Sequence, residues 1–400
     1  RARTLIERNA AYGGVDTAST PIGLGFTLPL FPDSTRSTND EWMDRVVKAA
    51  ASKIRPEAPP LTNQPANHVS GQIKTVLELA VRAPSGDNCQ PWRFNVTDST
   101  LEIGIDQSLA QHTFNNRHHA SLVSVGMLVE SITLASPELG LQTEVQWLAT
   151  EFASLDRKSP WVRITFTSAS SATGQSTWQA AIQSRSTQRG EFSATGVVLS
   201  HSKFNFVKQS DFPLVSASVL SGEQARSTAT LMDFICKSEQ YVFSNPSAMR
   251  DLFHWVRFSK NETQATNDGM PWRSLGLKPA EALLFKTLKR FPVLQNIFSP
   301  IIRIVIAMQT RRKIGRAGGI ALLSVKTATP EAVFEAGRVA MRQWLHLEQL
   351  GLAVQPISAA SLCVFDVASG AAPASMPVGY KTLYRNGLGT LMDAFCLNAG

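Results

Sequence analysis

The chain has 400 residues, of which 43% are hydrophobic and 18% are charged, and its formal net charge is +8. This composition excludes a largely disordered chain, and the mild excess of positive charge, without a concentrated basic stripe, predicts no nucleic-acid partner. The four cysteines lie far apart and have no metal-binding spacing, so we predict neither a disulfide framework nor a metal site. Since disulfides are typical of oxidising compartments, we predict a cytoplasmic location.

Residues 1–66 show no regular hydrophobic pattern. Glycine pairs interrupt this part, and the proline-rich run at 56–60 disfavours helix, so we predict an N-terminal arm and a linker. The sequence opens on Arg1 rather than Met, and we therefore expect a piece of a longer or processed protein.

From residue 67 onward, hydrophobic periodicity predicts a succession of helices and strands. In chain order we predict a helix at Ile73–Ala80, a strand at Leu101–Ile105, a helix at Leu122–Ile132, strands at Val145–Trp147 and Val162–Phe166, a helix from Trp178, an irregular excursion over 245–280, a buried strand at Ile320–Val325 and a long helix at Val333–Leu347 capped by Gly351. Because helices and strands mix without a strict βαβ alternation, the pattern favours an α+β fold.

The most apolar stretch runs from Ile297 to Met308. Ser299, Pro300 and Arg303 interrupt it and it is too short to span a bilayer, so we predict no integral membrane segment. Basic residues over 286–316 leave two interpretations of this region. It is either an amphipathic segment packed on the protein with a solvated basic edge, which is the commoner arrangement, or a segment lying on an anionic membrane.

The most informative segment is Ala83–Phe94, which reads APSGDNCQPWRF. It offers a hydroxyl, amides and backbone donors from a rigid frame, a set that suits a flat polar heterocycle. An ordinary connection from helix to strand explains the same residues equally well. Cys89 in this loop has a conceivable redox role, although a small buried thiol is the better explanation.

A second segment, Arg185–Arg189, places two arginines four residues apart with a hydroxyl between them. Guanidinium groups converging on one helical face suit a phosphate dianion, and Thr187 adds a donor. Clusters of this kind are also common on exposed turns. A third segment, Gly351–Ser358, follows the long predicted helix, and a routine helix end leading into a strand explains it as well.

These segments together resemble the nitroreductase superfamily, whose members bind FMN. The first segment is similar to the superfamily's flavin-proximal loop, and the resemblance implies that Pro84, Ser85, Asn88 and Gln90 contact the cofactor. No catalytic acid or base follows from it.

The other two segments extend the same resemblance. Arg185–Arg189 is similar to the superfamily's Arg-x-Ser/Thr-x-Arg element, which implies that Arg185 and Thr187 meet the FMN phosphate and that Arg189 lies near the flavin edge where reduction builds negative charge. Gly351–Ser358 resembles the segment whose backbone lies against the flavin near N5, which adds Pro356, Ile357 and Ser358 to the implied cofactor contacts.

The order of the segments resembles an internally duplicated, Acg-like branch, because the loop precedes the arginines by about a hundred residues. The resemblance implies a nitroreductase-like fold in which two tandem halves, 67–157 and 158–400, form an intramolecular pseudo-dimer, with a lid at about 245–280. The superfamily's usual C-terminal basic pair is not evident. Lys381 or Arg385 is the possible substitute, and Ser358 stands where many members carry Glu-Gly.

The N-terminal stretch from Arg3 to Pro32 resembles the tail of ThiF-like adenylating domains, which implies an upstream adenylating domain fused to this chain. Other features give weaker signals. His112, His118 and His119 lack ligands at metal spacing, and the aromatic cluster Phe253–Phe258 either stacks on the flavin or substrate or closes a core.

The leading hypothesis is therefore an FMN-dependent oxidoreductase, with NAD(P)H as a possible electron donor and a small-molecule or peptide-derived substrate. One alternative is a protein that binds and sequesters FMN with little turnover. Another is a flavin dehydrogenase in a biosynthetic pathway, which oxidises an intermediate activated by the adjacent adenylating domain. Association of two copies into a homodimer is a further alternative.

Overall fold

The computed structural model describes residues 30–32, 68–155, 158–169, 178–189, 211–266 and 268–397. Most of the predicted N-terminal arm and its ThiF-like stretch lies outside the described residues. The strands are β1 (Leu30–Pro32), β2 (Trp92–Thr97), β3 (Thr100–Ile105), β4 (Leu141–Trp147), β5 (Val162–Ser168), β6 (Val215–Ser221), β7 (Val256–Arg257), β8 (Met270–Pro271), β9 (Gly319–Val325) and β10 (Leu352–Val354).

The α-helices are α1 (His68–Ala80), α2 (His119–Ala135), α3 (Trp178–Ser184), α4 (Gly222–Ser227), α5 (Ala229–Val242), α6 (Pro246–Trp255), α7 (Lys260–Thr266), α8 (Pro279–Arg290), α9 (Val293–Gly315), α10 (Pro330–Gln349), α11 (Ser358–Ala368) and α12 (Val378–Ala394). Helices thus accompany mostly antiparallel sheets, which is the predicted α+β class. Gly351 follows α10 with φ of 72°, the left-handed conformation expected of a helix-ending glycine.

The largest described sheet has the strand order β2-β3-β5-β4, and all of its neighbours are antiparallel. Leu101, Ile103 and Ile105 of β3 face the core and alternate with less buried neighbours, as the sequence pattern predicted. β5, which lies after the predicted division at 157/158, pairs with both β3 and β4, which lie before it, so one sheet contains strands from both predicted halves. The division into two halves stays a prediction.

The centre of the core is the crossing of α2 and α10. Both helices are mostly buried, and glycines allow their backbones to touch: a Cβ added at Gly126 would overlap the Phe334 carbonyl oxygen, and one at Gly337 would overlap that of Val123. The carboxylate of Glu130 is fully buried in α2 and binds Arg338 and Arg342 of α10. The crossing is thus fixed by backbone contact and by a buried charge cluster.

A second hydrophobic cluster surrounds α5, α11 and α12. β9 is buried along its whole length, in agreement with the buried strand predicted there, and it pairs with β6 so that Val215 lies opposite Val325. β10 pairs with β1. β10 leads directly into Gln355, Pro356 and Ser358, which belong to the site described below.

The region 245–280 differs from the irregular excursion predicted for it, because much of it is helical. Asn245 accepts hydrogen bonds from the backbone N–H groups of Ser247 and Ala248, and Pro246 takes the first position of α6. A polar residue followed by proline thus starts a helix here rather than a loop.

Two helical stretches of the described chain are long and apolar enough to cross a bilayer, Asn116–Leu139 and Val293–Gly315. The first is 83% buried and is the core helix. The second is 11% buried and has 23 residues, so it is longer than the apolar stretch that the sequence analysis judged too short. Pro300 does not end it. The expectation that its apolar residues pack on the protein is wrong for Ile297, Ile301 and Ile304, which are exposed.

Candidate functional site

All three segments singled out in the sequence contribute to the wall of one cavity of about 330 Å³. Pro84 and Ser85 come from the first segment, Thr187 and Arg189 from the second, and Pro356 and Ser358 from the third. Thr187 forms a parallel β-bridge with Val354, and the Gln188 N–H donates to the Val354 carbonyl over 3.2 Å, so the second and third segments lie side by side.

The loop after α1 has an unusual backbone. Asp87, Asn88 and Gln90 have φ values of 48°, 58° and 46°. These values lie in the left-handed region, which residues other than glycine rarely adopt. The Gln90 N–H donates to Ser85 Oγ over 3.0 Å, and the Asn88 N–H donates to the Ser85 carbonyl over 3.0 Å. Strained residues held by a hydrogen-bonded turn are typical of functional sites.

His112 and Asp87 form a polar pair on the cavity wall, with 2.6 Å between His112 Nε2 and Asp87 Oδ2. Burial acts to lower the pKa of His112, but the hydrogen bond to Asp87 and the charges of Asp87 and Asp251 outweigh it, so the pKa is raised. The pair favours the imidazolium form at the cavity.

Arg185 lies next to the cavity segments but is not among the residues that line the cavity. It is buried, its guanidinium carbon lies 4.6 Å from the centre of the Trp344 ring, and its Nη2 donates to the Arg82 carbonyl over 2.7 Å. Its Nε and Nη1 are buried and have no hydrogen-bond partner among the described residues. Burial lowers the pKa of Arg185 to about 10, assisted by the charges of Arg82 and Arg189.

Arg189 lines the cavity itself. Burial lowers the pKa of Arg189, and the charge of Asp87 partly offsets this. Its carbonyl accepts a hydrogen bond of 2.8 Å from Lys313 Nζ, at the end of α9. The Lys313 ammonium group therefore contacts the backbone of a residue that lines the cavity, although Lys313 itself is not among the lining residues.

The third segment contributes Gln355, Pro356 and Ser358 to the cavity wall, while Ile357 is buried in the second hydrophobic cluster. Ser358 begins α11. From the first segment, Cys89 is a buried thiol on the cavity wall and forms no disulfide. Asn88 and the buried Gln90 are not among the residues that line the cavity. Lys381 and Arg385, on α12, do not line the cavity.

Glu239 is a cavity residue that the sequence analysis missed. Burial raises the pKa of Glu239 to about 7, and the charge of Lys313 partly offsets this. Its position gives a signal in the sequence, because it follows Ile235 by one helical turn and shares the inward face of α5. Asp87 and His112 also line the cavity without having been predicted as site residues. Asp87 lies in the first segment but was not named there, and His112 was considered only as a metal ligand.

Residues of the region 245–280, predicted as a lid, form part of the cavity wall. Asn88 Nδ2 donates to the Gly269 carbonyl over 3.0 Å, and the Gly269 N–H donates to the Asn88 carbonyl over 3.2 Å. Asp251 of α6 accepts from the backbone N–H of Thr113 over 2.8 Å. Met270 and Leu275 contribute apolar surface to the cavity. Of the aromatic cluster 253–258, the buried Phe253 packs in a separate hydrophobic cluster and is not a cavity residue.

The remaining histidines have other surroundings. His119 is buried, with 2.6 Å between its Nδ1 and Asp366 Oδ1, and the His118 ring packs edge-on against Trp161. Within the described part of the chain, no group of three or more His, Cys, Asp or Glu side chains is placed to hold a metal ion.

Comparison with curated proteins finds an extended match to a nitroreductase. The chain is 24% identical over 307 residues to a probable NAD(P)H nitroreductase, PigM, of Serratia sp., which covers 72% of this chain and 79% of that protein. Two putative NAD(P)H nitroreductases of Mycobacterium tuberculosis match shorter stretches, at 34% identity over 73 residues and 28% over 74, covering 21% and 22% of those proteins. No family model matches the chain.

Proposed function

We propose, from the premise that this chain is related to the NAD(P)H nitroreductases, that it is an FMN-dependent oxidoreductase that takes electrons from NAD(P)H. The observation that carries the proposal is the single cavity lined by three segments far apart in the chain, each of which resembles a flavin-binding element of that superfamily. The substrate is a small or peptide-derived molecule.

The residues present fit such a cofactor. The cavity volume of about 330 Å³ falls in the range of small-molecule sites, and Pro84, Met127 and Leu362 give it apolar walls for a flat ring. Nε and Nη1 of the buried Arg185, which lies beside the cavity segments, have no hydrogen-bond partner among the described residues, and a bound phosphate that reached them would provide an acceptor. Thr187 and Arg189 would hold the polar end together with Arg185.

The bound flavin would supply the hydride and electron transfer, while the chain supplies binding, orientation and electrostatics. Arg189 places positive charge at the cavity wall and favours an anionic ligand there. Glu239, with a pKa of about 7, holds or releases a proton at the cavity near neutral pH. Ser85 fixes the loop through the Gln90 N–H, which keeps Asn88 and Gln90 in place.

The test is the visible spectrum of the purified protein, followed by anaerobic addition of NADH or NADPH. We expect flavin absorption that bleaches. We expect Arg189→Ala to lose most of the bound flavin, because the variant removes a cation from the cavity wall. The exposed Arg226 provides a control with the same change of charge, and Arg226→Ala should keep its flavin. A colourless protein that gains no flavin from excess FMN would contradict the proposal.

One observation favours a second candidate function, that of a protein that binds FMN with little turnover. The two hydrogen bonds between Asn88 and Gly269 join the first segment directly to the predicted lid region. A lid held in this way would restrict the access of NAD(P)H to the cavity. Flavin absorption that persists under NADH and NADPH would support this candidate. Rapid bleaching would exclude it.

The finer expectations are proposals of the same kind. We propose a nitroreductase-like fold with two halves in an intramolecular pseudo-dimer, a cytoplasmic protein, and no nucleic-acid partner. The homodimer, the upstream adenylating domain and the dehydrogenase acting on its intermediate also stay open. A genomic neighbourhood that encodes carrier proteins or precursor peptides would support the dehydrogenase.

A further inference from the structure

An exposed apolar stripe runs along α9. Among the described residues, eight of the ten large hydrophobic side chains that are exposed belong to residues 283–308, and they are Leu283, Phe291, Val293, Ile297, Ile301, Ile304, Val305 and Met308. Those on α9 recur every three or four residues and therefore share one face. From Val293 to Met308 the stripe is about 22 Å long at 1.5 Å per residue.

The opposite side of α9 is anchored to the protein. Ile302 and Ile314 are buried, and Gln295 Nε2 donates to the Leu288 carbonyl over 2.9 Å. Gln240 Nε2 of α5 donates to the Arg303 carbonyl over 3.1 Å. Since one face of α9 is bound along its length, the helix offers its apolar face to a surface and does not leave the body of the protein to cross a bilayer.

Basic residues surround the stripe without acidic ones in the same stretch. Between Glu281 and Glu331 the chain has no Asp or Glu. Lys286 and Arg290 are exposed before the N-terminal end of α9, and Arg311 and Arg312 are exposed near its C-terminal end. Arg311 pairs with the exposed Asp233 of α5. An apolar face with cationic ends complements an anionic lipid headgroup layer over an acyl interior.

A second copy of the chain is a poorer occupant of this face. In an antiparallel pairing of two α9 helices, Lys286 and Arg290 of one copy would approach Arg311 and Arg312 of the other. A parallel pairing would bring identical cations together. Neither arrangement gives these side chains an acidic partner from the same stretch, so like charges would oppose it.

We propose that α9, with the end of α8, binds the surface of an anionic membrane and lies in its plane. The Ile297, Ile301 and Ile304 side chains enter the acyl boundary, and the flanking Lys and Arg side chains contact the headgroups. The proposal does not depend on flavin binding or turnover, so it stands or fails separately from the proposed function.

The experiment is flotation of the purified full chain with vesicles made of equal parts phosphatidylglycerol and phosphatidylcholine, and with vesicles of phosphatidylcholine alone. We expect binding to the mixed vesicles that weakens with salt, and little binding to phosphatidylcholine. Substituting Ile297→Gln, Ile301→Gln and Ile304→Gln together should lower binding at least about tenfold. The charge variant Lys286→Gln with Arg290→Gln and Arg312→Gln should reduce binding and its salt dependence.

The matched control is Leu350→Gln with Val378→Gln, which removes the other two large hydrophobic side chains that are exposed in the described part of the chain and should bind like the wild type. Thermal unfolding checks that each variant is folded. Wild-type protein that ignores both kinds of vesicle would overturn the proposal, and so would a folded triple variant that binds as tightly as the wild type. A wild-type dimer in vesicle-free buffer that the triple variant converts to monomer would also overturn it, because the face would then belong to a second copy.

Discussion

At the residue scale, the loop Ser85–Gln90 shows how local backbone strain and a functional cavity occur together. Three of its side-chain-bearing residues are left-handed. Hydrogen bonds within the loop, the His112–Asp87 pair and the two bonds to Gly269 hold it in this conformation. The strain is therefore maintained by contacts from three separate parts of the chain.

Two substitutions at Asn88 separate the free-energy cost of its left-handed backbone from the contribution of its side chain. We expect Asn88→Ala to lower the free energy of unfolding more than Asn88→Gly does, by about 1 kcal/mol, because glycine adopts the left-handed conformation freely. Both variants lose the bond to the Gly269 carbonyl. Gly86→Ala is the control in the same loop, since an added Cβ there meets nothing within 4 Å. Urea unfolding measures all three, and equal stabilities of the two Asn88 variants would show that no strain is held at this position.

His112 gives a dependence of stability on pH. The folded protein raises the pKa of His112 above 6.5, so the imidazolium is favoured in the fold. Its contribution to stability is complete below the unfolded pKa and is lost as the pH rises through the folded pKa. We expect the His112→Gln variant to show a flatter dependence of its urea unfolding midpoint on pH between the unfolded and the folded pKa of His112. If the wild-type and variant profiles stay parallel across this interval, the interaction of His112 with Asp87 does not contribute.

At the scale of elements, the contacts between helices determine which positions tolerate change. The glycines at the crossing of α2 and α10 are required by the approach of the two backbones, whereas an added Cβ at Gly71, Gly379 or Gly389, which are also helical, would meet nothing within 4 Å. The two kinds are indistinguishable in the sequence, because each stands in an otherwise regular helical pattern.

This contrast is testable with a single type of substitution. We expect Gly337→Ala to destabilise the protein by about 3 kcal/mol or more, because the new methyl group meets the Val123 backbone and not a movable side chain. We expect Gly389→Ala, in α12, to stabilise by about 0.5–1 kcal/mol, since its Cβ meets nothing within 4 Å. Thermal and urea unfolding give both values. A neutral Gly337→Ala would mean that the crossing adjusts freely.

The sequence predicts elements with strong periodicity and misses what depends on distant contacts. β3, β9 and α10 follow their hydrophobic patterns and lie where the patterns predict them. The length of α9 was underestimated from the sequence, because Pro300 and Arg303 interrupt its apolar pattern, although neither residue ends the helix. Exposure of its apolar face is a property of the packed molecule, and no local pattern reports it.

At the scale of the whole molecule, the candidate site is assembled from segments near residues 85, 187, 239, 269 and 356. Resemblance identified three of these segments, because each carries its own motif. Glu239 belongs to no motif, and the Gly269 segment was expected only as part of the lid, without its contact to Asn88. A ligand that bridges these segments joins parts of the chain that are otherwise far apart.

Flavin should accordingly stabilise the fold as a whole. We expect FMN at a hundredfold excess over its dissociation constant to add about 2.7 kcal/mol to the free energy of unfolding, since it binds the folded state alone. A thermal-shift titration with FMN measures this effect. Riboflavin, which lacks the phosphate, is the matched ligand and should shift the melting temperature less. Equal shifts would contradict a phosphate site at Arg185, Thr187 and Arg189.

The contact between the α2 and α10 backbones also bears on how a ligand enters. Two helices that touch at Gly126 and Gly337 leave no room to slide, so this part of the molecule acts as a fixed base. Opening of the cavity is then left to α6 and the Gly269 segment, which a few hydrogen bonds join to Thr113 and to the loop at Asn88. We expect ligand exchange to follow a hinge motion of these two elements, and hydrogen exchange to be fastest there and slowest at the helix crossing.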